Sequence, residues 1–579
     1  MEFYEKEYCR WLSSEVLTAE ERAELLGIEK DEEAKALRFS APMDFGTAGL
    51  RSTMYVGLGC MNRLTVARTT KGLAALVKKS GGEKRGVVIA YDSRNNSELF
   101  ARVSAEVLAA AGIRVYIFDA LRPTPELSFA LRHLGAIAGI NITASHNPKE
   151  YNGYKAYWED GAQLAPEQAA VVKEETLAFD VLDVSGRMDY ETARAEGRIT
   201  VLSEDFDEIY LSAVLKTAVS PNAVREVSDA LKVVYTPLHG AGCRLVPLVF
   251  SRMGLKHLYT VSEQMQPNGD FPTVKKPNPE YPEAFSLGIV LADREGSDLV
   301  IATDPDADRV GVMARNKSGA FETVSGNQMG ALLLDYIIRK KKELGTLPKK
   351  PYCVKSIVST DMAARIAEVH GVRLHDVLTG FKFIGEVIKN YEAEKNAEGF
   401  LLGFEESYGY LGGAYARDKD AVEASMLILE MTADYKKRGM TLIDALAALY
   451  ETYGHYAEGV TDIYMEGLDG IEKRRHLMQS LRNDPPAAFA GHSVVRIGDY
   501  KEGYFTDLAS GKKESTNLPL SDVLYFVLEN EDKIIVRPSG TEPKVKIYFL
   551  AHGAERKALL EKVNAYKADA LAIAGECNK

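Results

Sequence analysis

Three segments of the chain share one alternation of apolar and polar positions. They span residues 86–118, 231–261 and 352–377. In each, a run rich in β-formers is followed by a polar turn, an amphipathic helical stretch, a glycine and a second apolar run. A glycine at this position accepts the left-handed backbone that ends a helix. The pattern therefore predicts three strand–helix–strand units, whose right-handed crossovers give parallel, doubly wound sheets.

Each unit is followed by another short apolar run that ends in an unusual polar loop. AIAGINI leads into TASHNP, DLVIAT leads into DPDADR, and GFLLGF leads into EESYG. Ligands of open α/β sheets bind beyond the carboxyl ends of strands, which is where these loops fall. We therefore expect three related, mixed α/β domains that direct their loops to one site.

The two ends of the chain differ from the repeated units. The first 26 residues are charged and helix-like, whereas residues 534–550 are typical of a strand, a polar turn and an alternating strand, with a helix from about residue 554. The tail therefore predicts a smaller α+β domain. The expected domains are 1–204 with the N-terminal helix and TASHNP, 205–325 with DPDADR, 326–455 with EESYG, and 456–579 with RPSGTEP.

Composition disfavours several classes of protein. The net charge of −12 argues against a nucleic-acid partner, although a few basic side chains can still bind an anionic substrate. The five cysteines form no CxxC pair and are odd in number, which disfavours a disulfide framework or a zinc site and fits a reducing cytosol. The N-terminus lacks the features of a signal peptide, and no uncharged apolar run reaches the roughly 18 residues of a membrane helix. We therefore expect a cytoplasmic protein with no membrane partner.

Asp304, Asp306 and Asp308 alternate directly after a strand of the buried type. In a tight loop their carboxylates can converge on one hard cation, and an all-oxygen site that leaves room for phosphate suits Mg²⁺. A solvated acidic turn is the alternative, and the position after DLVIAT makes it the weaker one. An EF-hand is disfavoured because its glycine and its twelfth-position glutamate are missing.

Other loops carry groups suited to a sugar phosphate. RPSGTEPK, residues 537–544, places an arginine fork, hydroxyl groups and backbone N–H groups around a concavity that suits phosphate. EES, residues 405–407, offers acceptors for sugar hydroxyls, although two adjacent acids are usually a surface charge pair. RDKD, residues 417–420, by itself has the character of a solvated charge run.

TASHNP, residues 143–148, contains a serine beside a histidine, which suggests a hydrolase nucleophile. The G-x-S-x-G elbow of hydrolases is absent. Adjacent residues of an extended loop point apart, so Ser145 and His146 are expected to make a poor nucleophile–base pair. A serine that accompanies a metal-binding aspartate triad indicates phosphoryl transfer instead.

Seven motifs together resemble, in order, those of the α-D-phosphohexomutase family, the phosphoglucomutases and phosphomannomutases. They are DFGTAGLR (44–51), TASHNP (143–148), NGYK (152–155), DPDADR (304–309), GFEESYG (403–409), RDKD (417–420) and RPSGTEP (537–543). The resemblance covers nearly the whole chain and implies four domains, the first three alike, around a central cleft.

Several features depart from the commoner pattern of the family. Pro305 stands where many members have glycine, and the sugar loop has the order Gly-Phe-Glu-Glu-Ser-Tyr. With TGFKFIG at 379–385 and a long N-terminal helix, these features are similar to the longer, bacterial-type branch of the family. That branch also holds phosphopentomutase-like and sugar-bisphosphate-forming members.

The resemblance implies roles for particular residues. Ser145 matches the phosphorylated residue and, with Asp304, Asp306 and Asp308, the Mg²⁺ site. His146 matches a neighbour of that serine with a positioning role. Basic residues near the reacting groups are Arg51, Lys155, Arg309 and Lys419; sugar contacts are Glu405 or Glu406 and Ser407; and the site for the non-transferring phosphate is Arg537, Ser539, Gly540 and Thr541. Either Lys155 or Lys419 could serve as general base, and Lys419 is favoured.

By this resemblance, the chain interconverts α-D-glucose 1-phosphate and glucose 6-phosphate with Mg²⁺. Ser145 would pass a phosphoryl group to the sugar, with glucose 1,6-bisphosphate as intermediate and activator, and would then take the other phosphate back. The alternatives are a phosphomannomutase, a phosphopentomutase, a sugar 1,6-bisphosphate synthase or a phosphatase. A non-catalytic sugar-phosphate-binding protein is disfavoured because Ser145 and the aspartates are intact. We expect a monomer or a homodimer.

Overall fold

The computed structural model describes residues 2–46, 49–465, 470–539 and 544–577. The chain forms two compact units. The first comprises Met1–Val324, Gly385–Phe400 and Tyr408–Thr441, and the second comprises Ser325–Ile384, Leu401–Ser407 and Leu442–Lys579. No helix among the described residues combines the length and the apolar character needed to cross a bilayer.

The helices and strands alternate along most of the chain. The helices are α1 Phe3–Leu12, α2 Ala19–Gly27, α3 Glu32–Phe39, α4 Arg63–Lys79, α5 Ser97–Ala110, α6 Thr124–Leu134, α7 Pro166–Ala178, α8 Tyr190–Ala195, α9 Glu204–Leu215, α10 Ala223–Glu226, α11 Gly242–Met253, α12 Ser262–Met265, α13 Ser286–Glu295, α14 Gly326–Glu343, α15 Met362–His370, α16 Phe381–Ala393, α17 Ala421–Lys437, α18 Leu442–Tyr453, α19 Gly470–Asn483 and α20 Arg556–Cys577. Short 3₁₀ helices lie at Pro282–Phe285 and Ala397–Gly399.

The strands are β1 Gly49–Thr53, β2 Val87–Tyr91, β3 Val115–Phe118, β4 Ala138–Ile142, β5 Tyr151–Trp158, β6 Ile199–Leu202, β7 Lys232–Thr236, β8 His257–Thr260, β9 Leu299–Thr303, β10 Val310–Arg315, β11 Phe321–Val324, β12 Tyr352–Ser356, β13 Arg373–Val377, β14 Phe400–Glu405, β15 Gly409–Leu411, β16 His455–Tyr464, β17 Ala488–Phe489, β18 His492–Asp499, β19 Tyr504–Asp507, β20 Lys513–Ser515, β21 Leu524–Leu528, β22 Lys533–Pro538 and β23 Lys544–Gly553.

The first unit holds two sheets with one shared topology. Their strand orders are β1-β5-β4-β2-β3-β6 and β11-β10-β9-β7-β8. In the first, β2 pairs in parallel with β3 and β4, and in the second β7 pairs in parallel with β8 and β9. The following strand returns antiparallel in both, β5 on β4 and β10 on β9. The strands that precede TASHNP and DPDADR, β4 and β9, are therefore equivalent.

The central strands are mostly apolar because both of their faces are covered. β2, β4 and β9 are buried along their whole length, and α5 and α6 pack on β2 and β4. This is the reason that their sequences lack the alternation of a half-exposed strand.

The second unit repeats the same plan. β12 and β13 are parallel, and the strand order β13-β12-β14 places β12 in the middle. The helix between the first two strands ends at Gly371 with φ of 68°, as α11 ends at Gly254 with φ of 91°. Both glycines have the left-handed backbone expected from the sequence. The three predicted strand–helix–strand units are confirmed.

The tail of the second unit is a separate antiparallel sheet. Its strands lie in the order β16-β23-β22-β21-β18-β19-β20, and α20 packs on β16 and β23. Leu559, Val563 and Tyr566 of α20 share one apolar core with the strand residues Ile534 and Phe549. The predicted smaller α+β domain is confirmed, and so is the fold class of three α/β domains followed by this one.

The expectation of a long N-terminal helix is wrong, because three short helices, α1 to α3, occupy this segment. Thr18 begins α2 with a capping box, in which its Oγ1 accepts the Glu21 N–H and the Glu21 carboxylate accepts the Thr18 N–H. Asp31 begins α3 by accepting the Ala34 N–H. These side chains satisfy the free N–H groups of new helix starts, so the segment breaks where its charge pattern suggested continuity.

Candidate active site

The serine loop begins where β4 ends, at Ile142. Ser145 is buried and has φ of 52°, a left-handed backbone that is uncommon for a residue with a side chain. This turn brings Ser145 Oγ to 3.1 Å from His146 Nδ1 and to 2.9 Å from Asp304 Oδ2. The expectation that Ser145 and His146 point apart is therefore wrong, because the loop is turned and not extended at the serine.

Two charged side chains that the sequence analysis missed hold this loop. Asp92 accepts a hydrogen bond from Thr143 Oγ1 at 2.6 Å, and Thr143 Oγ1 in turn accepts the Ser145 N–H at 2.8 Å. Arg94 is fully buried, and its Nε lies 3.3 Å from the Asp92 carboxylate. Its guanidinium donates to four carbonyl oxygens of the loop, those of Ser145, Asn147, Pro148 and Tyr151. The sequence feature that could have indicated Asp92 and Arg94 is the polar turn YDSRNNS at the end of β2, the strand adjacent to β4.

Replacing Arg94 with methionine is expected to lower the free energy of unfolding by about 3–5 kcal/mol, because Asp92 would lose its buried partner. Arg94→Lys should also destabilise, since one ammonium group cannot replace the planar fork that serves four carbonyl oxygens. Urea unfolding, followed by the fluorescence of the two tryptophans, Trp11 and Trp158, measures both.

Arg102→Lys is the matched control, because Arg102 lies on α5 and is half-exposed. Its effect should stay within about 0.5 kcal/mol. A change for Arg94→Met no larger than this would show that the serine loop does not depend on the guanidinium.

The loop DPDADR, residues 304–309, follows β9 and is called the metal loop below. The side chains of its aspartates, Asp304, Asp306 and Asp308, are 0%, 0% and 2% exposed. Asp304 Oδ1 accepts the N–H groups of Asp308 at 3.1 Å and Arg309 at 3.0 Å, which curls the loop back on itself. The backbone at Pro305 also packs closely against Gly240, where an added Cβ would lie only 2.4 Å from the proline Cα. The loop is therefore a fixed structure and not a solvated acidic turn.

This triad fits a metal ion. The ligand oxygens of Asp304, Asp306 and Asp308 lie within 4.8 Å of one another. Asp306 Oδ1 and Asp308 Oδ1 are buried and have no hydrogen-bond partner in the part of the chain that the structure describes. Burial, and then the carboxylates of Asp306 and Asp308, raise the pKa of Asp304 well above its usual range. A cation would satisfy the two bare oxygens and offset the repulsion among the three carboxylates.

Two lysines reach the same triad. Lys155 Nζ lies 2.7 Å from Asp306 Oδ2 and 3.3 Å from Asp308 Oδ2. Lys419 Nζ lies 3.1 Å from Asp308 Oδ2. Burial lowers the pKa of Lys155, but the carboxylates of Asp306 and Asp308 outweigh it, so that this pKa is raised above its usual value. The two carboxylates thus stabilise the charged form of Lys155.

The interpretation of RDKD as a solvated charge run is wrong, because all four of its side chains are buried. Each charge has a partner. Asp418 Oδ2 accepts from Tyr157 Oη at 2.8 Å, and Arg417 Nη2 lies 2.6 Å from Glu392 Oε2. Asp420 accepts the first N–H groups of α17 and so fixes the loop at the helix start. Buried charges with partners of their own therefore lie on both sides of Lys419.

Further cationic side chains surround Ser145. Arg51 Nη1 donates to Asn147 Oδ1 at 2.8 Å, and Arg309 is paired with Glu280. Burial, and then the positive charges of Arg309 and Arg51, lower the pKa of His146 well below its usual range. The imidazole next to Ser145 is therefore neutral, and its Nδ1 can donate to or accept from the serine oxygen according to its tautomer.

The remaining candidate residues lie in the second unit. Glu405 is buried, and its Oε1 accepts the Gly380 N–H at 2.7 Å, whereas Glu406 Oε2 accepts from Ser356 Oγ at 3.3 Å. Ser407 is half-buried beside them.

The phosphate loop also belongs to the second unit. Arg537 is half-buried on β22, and the Ser539 carbonyl oxygen accepts from Arg474 Nη1 at 2.9 Å. Arg474 of α19 was not anticipated from the sequence. Gly540 and Thr541 lie outside the described residues.

The arrangement in the first unit is suited to moving a phosphoryl group. A buried serine oxygen faces an aspartate triad, and two lysines and two arginines lie around it. Phosphoryl transfer depends on positioning and on the neutralisation of charge, which these groups supply. The neutral His146 lies within hydrogen-bond distance of Ser145 Oγ, and the arginines around it suit an anionic group on the serine.

Four sequence-family models match the chain in order. They describe phosphoglucomutase/phosphomannomutase alpha/beta/alpha domain I at residues 42–180, domain II at 208–319, domain III at 325–453 and the C-terminal domain at 517–565.

Individual relatives agree with these matches. The chain is 38% identical over 518 residues to a phosphoglucomutase of Staphylococcus saprophyticus, covering 90% of this chain and 92% of that protein. It is 35% identical over 527 residues to a phosphoglucomutase of Staphylococcus aureus, covering 91% and 93%.

Solved structures share the fold. One is the open form of pp63/parafusin, a phosphoglucomutase from Paramecium, with a TM-score of 0.66, 18% identity and coverage of 92% of this chain and 94% of that one. Another is a phosphoglucomutase/phosphomannomutase family protein from Burkholderia thailandensis, with a TM-score of 0.64, 19% identity and coverage of 92% and 97%.

Proposed function

Since the chain belongs to the phosphoglucomutase/phosphomannomutase family, we propose that it is an isomerase that interconverts α-D-glucose 1-phosphate and glucose 6-phosphate. The observation that carries the proposal is the buried Ser145 Oγ, 2.9 Å from Asp304 Oδ2 and at the edge of the aspartate triad. Sequence relatives that are named phosphoglucomutase cover nine-tenths of the chain. They favour glucose over the other sugars of the family.

Ser145 carries the phosphoryl group in this proposal. In the first half-reaction the bond between phosphorus and Ser145 Oγ breaks and a bond to the sugar 6-hydroxyl forms, which gives glucose 1,6-bisphosphate. In the second half-reaction the 1-phosphate returns to Ser145. Each half exchanges a phosphoryl group for a proton between the serine and a sugar hydroxyl, so no water is consumed and no inorganic phosphate is released.

The Asp304, Asp306 and Asp308 carboxylates, with Ser145, would hold Mg²⁺. The ion, when bound, neutralises charge on the transferring phosphoryl group. An oxygen-only donor set with two bare carboxylate oxygens supports Mg²⁺ over a softer metal.

Lys419 is our choice for the general base, because Asp308 places its Nζ at the edge of the triad, 3.1 Å away, whereas Lys155 bridges the two triad carboxylates of Asp306 and Asp308 at 2.7 and 3.3 Å. A general base must be neutral before it accepts a proton, so Lys419 has to release its own proton first. Lys155, Arg51 and Arg309 then serve as cations that stabilise the phosphoryl group, while neutral His146 orients the serine oxygen.

The candidate residues of the second unit have binding roles in this proposal. We assign sugar-hydroxyl contacts to Ser407 and to Glu405 or Glu406. We assign the non-transferring phosphate to Arg537, Ser539, Gly540 and Thr541. We also propose four domains, at 1–204, 205–325, 326–455 and 456–579. Glucose 1,6-bisphosphate is the proposed activator. We further propose a cytoplasmic monomer or homodimer without a nucleic-acid or membrane partner.

A coupled assay with Mg²⁺ and a trace of glucose 1,6-bisphosphate tests the substrate. Glucose 1-phosphate should exceed mannose 1-phosphate and ribose 1-phosphate in kcat/KM by about tenfold or more, since a site built to hydrogen-bond sugar hydroxyls discriminates against a sugar that lacks or misplaces one. Chromatography of the products adds a second readout.

The other outcomes identify the alternatives. A preference for mannose or ribose 1-phosphate would overturn the choice of sugar. Accumulation of the bisphosphate would indicate a synthase, and release of inorganic phosphate would indicate a phosphatase.

A further inference from the structure

The Asp306 carboxylate is held by two polar residues that the proposed mechanism does not use. Thr124 begins α6, and its N–H donates to the Asp306 carbonyl oxygen at 2.8 Å. Its Oγ1 donates to Asp306 Oδ2 at 2.7 Å. Asn141 of β4 donates from Nδ2 to the same Oγ1 at 2.6 Å. All three side chains are completely buried.

The direction of this hydrogen-bond chain is fixed by the charge at its end. A hydroxyl group has one proton, and a carboxylate oxygen can only accept. Thr124 must therefore donate to Asp306, which leaves its oxygen to accept from the Asn141 amide. The reverse orientation would place lone pairs against a buried anion.

The two oxygens of Asp306 consequently differ. Oδ2 accepts from Thr124 Oγ1 and lies 2.7 Å from Lys155 Nζ. Oδ1 is buried and has no hydrogen-bond partner in the described part of the chain. A rotation about the terminal bond of the side chain would only exchange Oδ1 and Oδ2. The two donors therefore fix the plane of the carboxylate and leave one of its oxygens without a hydrogen bond.

We propose that Thr124, oriented by Asn141, is a positioning residue that holds Asp306 for metal binding. The inference rests on the proposed metal site. Strand β4 and the loop that follows it then support the metal loop twice, through Asn141 and Thr124 to Asp306 and through Ser145 to Asp304. Partners of metal-ligating carboxylates that lie outside the ligand sphere keep the ligand oriented, and their loss weakens metal binding.

Mn²⁺ titration of the full chain, with free Mn²⁺ measured by electron paramagnetic resonance, tests the proposal without any turnover. Thr124→Val keeps the shape of the side chain and removes the donor, and it should raise the Kd for Mn²⁺ about 10–100-fold. Thr124→Ser keeps the donor and should stay within about threefold of the wild type. Asn141→Leu should give an intermediate change, because Thr124 keeps its proton but loses its orientation.

Thr70→Val is the matched control. Thr70 is also completely buried, and its hydroxyl donates to the Val66 carbonyl oxygen inside α4. This variant should bind Mn²⁺ as the wild type does. Thermal unfolding without metal shows whether each variant is folded, and the comparison of Thr124→Ser with Asn141→Leu decides the question if Thr124→Val does not fold.

The outcomes separate two failures. Equal Mn²⁺ affinity in the wild type and Thr124→Val overturns the positioning role and leaves the proposed mutase function intact. Weak binding in Thr70→Val and Thr124→Val alike also overturns it, because the effect would then be a general one. A wild type that binds no Mn²⁺ removes the proposed metal site itself and the inference with it.

Discussion

Ser145→Ala is expected to lower kcat for the conversion of glucose 1-phosphate by roughly 10⁴-fold or more, because it removes the group that carries the phosphoryl intermediate. The reason is structural as well as chemical. Ser145 Oγ lies 2.9 Å from Asp304 Oδ2, at the edge of the aspartate triad. Its neighbour His146 is neutral and is flanked by arginines, and in this proposal it orients the serine oxygen and does not carry the phosphoryl group.

The measurement pairs turnover with labelling. Radiolabelled glucose 1,6-bisphosphate should transfer label to the wild-type chain and not to Ser145→Ala. Ser104→Ala is the control, since Ser104 is a buried serine of α5 whose hydroxyl bonds to the Phe100 carbonyl oxygen. Acid-labile label on Ser145→Ala would point to His146 as the carrier and would contradict the assignment of the serine.

The predictable parts of this fold are those that depend on the local pattern of apolar and polar residues. Strands β2 and β4 are mostly apolar because they are covered on both faces, and helices α11 and α15 end at glycines with a left-handed backbone. The polar loops were predictable in place for the same reason, since each begins where a buried strand ends. Their chemistry was apparent because Asp304, Asp306 and Asp308 alternate directly after a strand of the buried type, where three carboxylates can converge on one cation.

The parts that were not predictable depend on contacts distant in sequence or on one backbone angle. Ser145 and His146 come together because of φ at the serine, which the residue type does not disclose. Arg94 looked like an ordinary residue of a polar turn, although its partners lie about 50 residues away. Asn141 lies within the otherwise apolar strand β4, and its role depends on the metal loop that follows β9, a strand of the other sheet of the first unit.

The burial of RDKD shows the same limit. A run of alternating charges is solvated in most proteins, and its sequence alone favours that interpretation. Here Asp418 and Arg417 each find a partner from a distant segment, Tyr157 and Glu392. The charges are therefore buried as pairs, which local sequence cannot indicate.

Asp308→Asn is expected to lower kcat roughly 1,000-fold, because it removes a metal ligand and also the carboxylate that two lysines share. Asp308 Oδ2 lies 3.1 Å from Lys419 Nζ and 3.3 Å from Lys155 Nζ. Burial raises the pKa of Asp308, but Lys419 and Lys155 outweigh it and hold this pKa below its usual range, so the carboxylate is ionised. An amide at this position would leave two buried ammonium groups without their common counter-charge.

Comparison with Asp306→Asn separates the two losses, since Asp306 contacts Lys155 but has no contact with Lys419 among the described residues. In both variants the Mg²⁺ needed for half-maximal activity should rise. At saturating Mg²⁺, Asp306→Asn should return to within about tenfold of the wild-type kcat, whereas Asp308→Asn should stay low. Asp293→Asn, at an exposed ion pair with Arg315, is the control and should change neither quantity.

The decisive quantity is the kcat that remains once the metal is saturating. If Asp308 acts only as a ligand, excess Mg²⁺ restores both variants to the same extent. If it also places Lys419, the Asp308→Asn deficit persists because the general base is displaced whatever the metal concentration. Equal recovery would therefore remove the structural reason for preferring Lys419, whose position in the site depends on the carboxylate of Asp308.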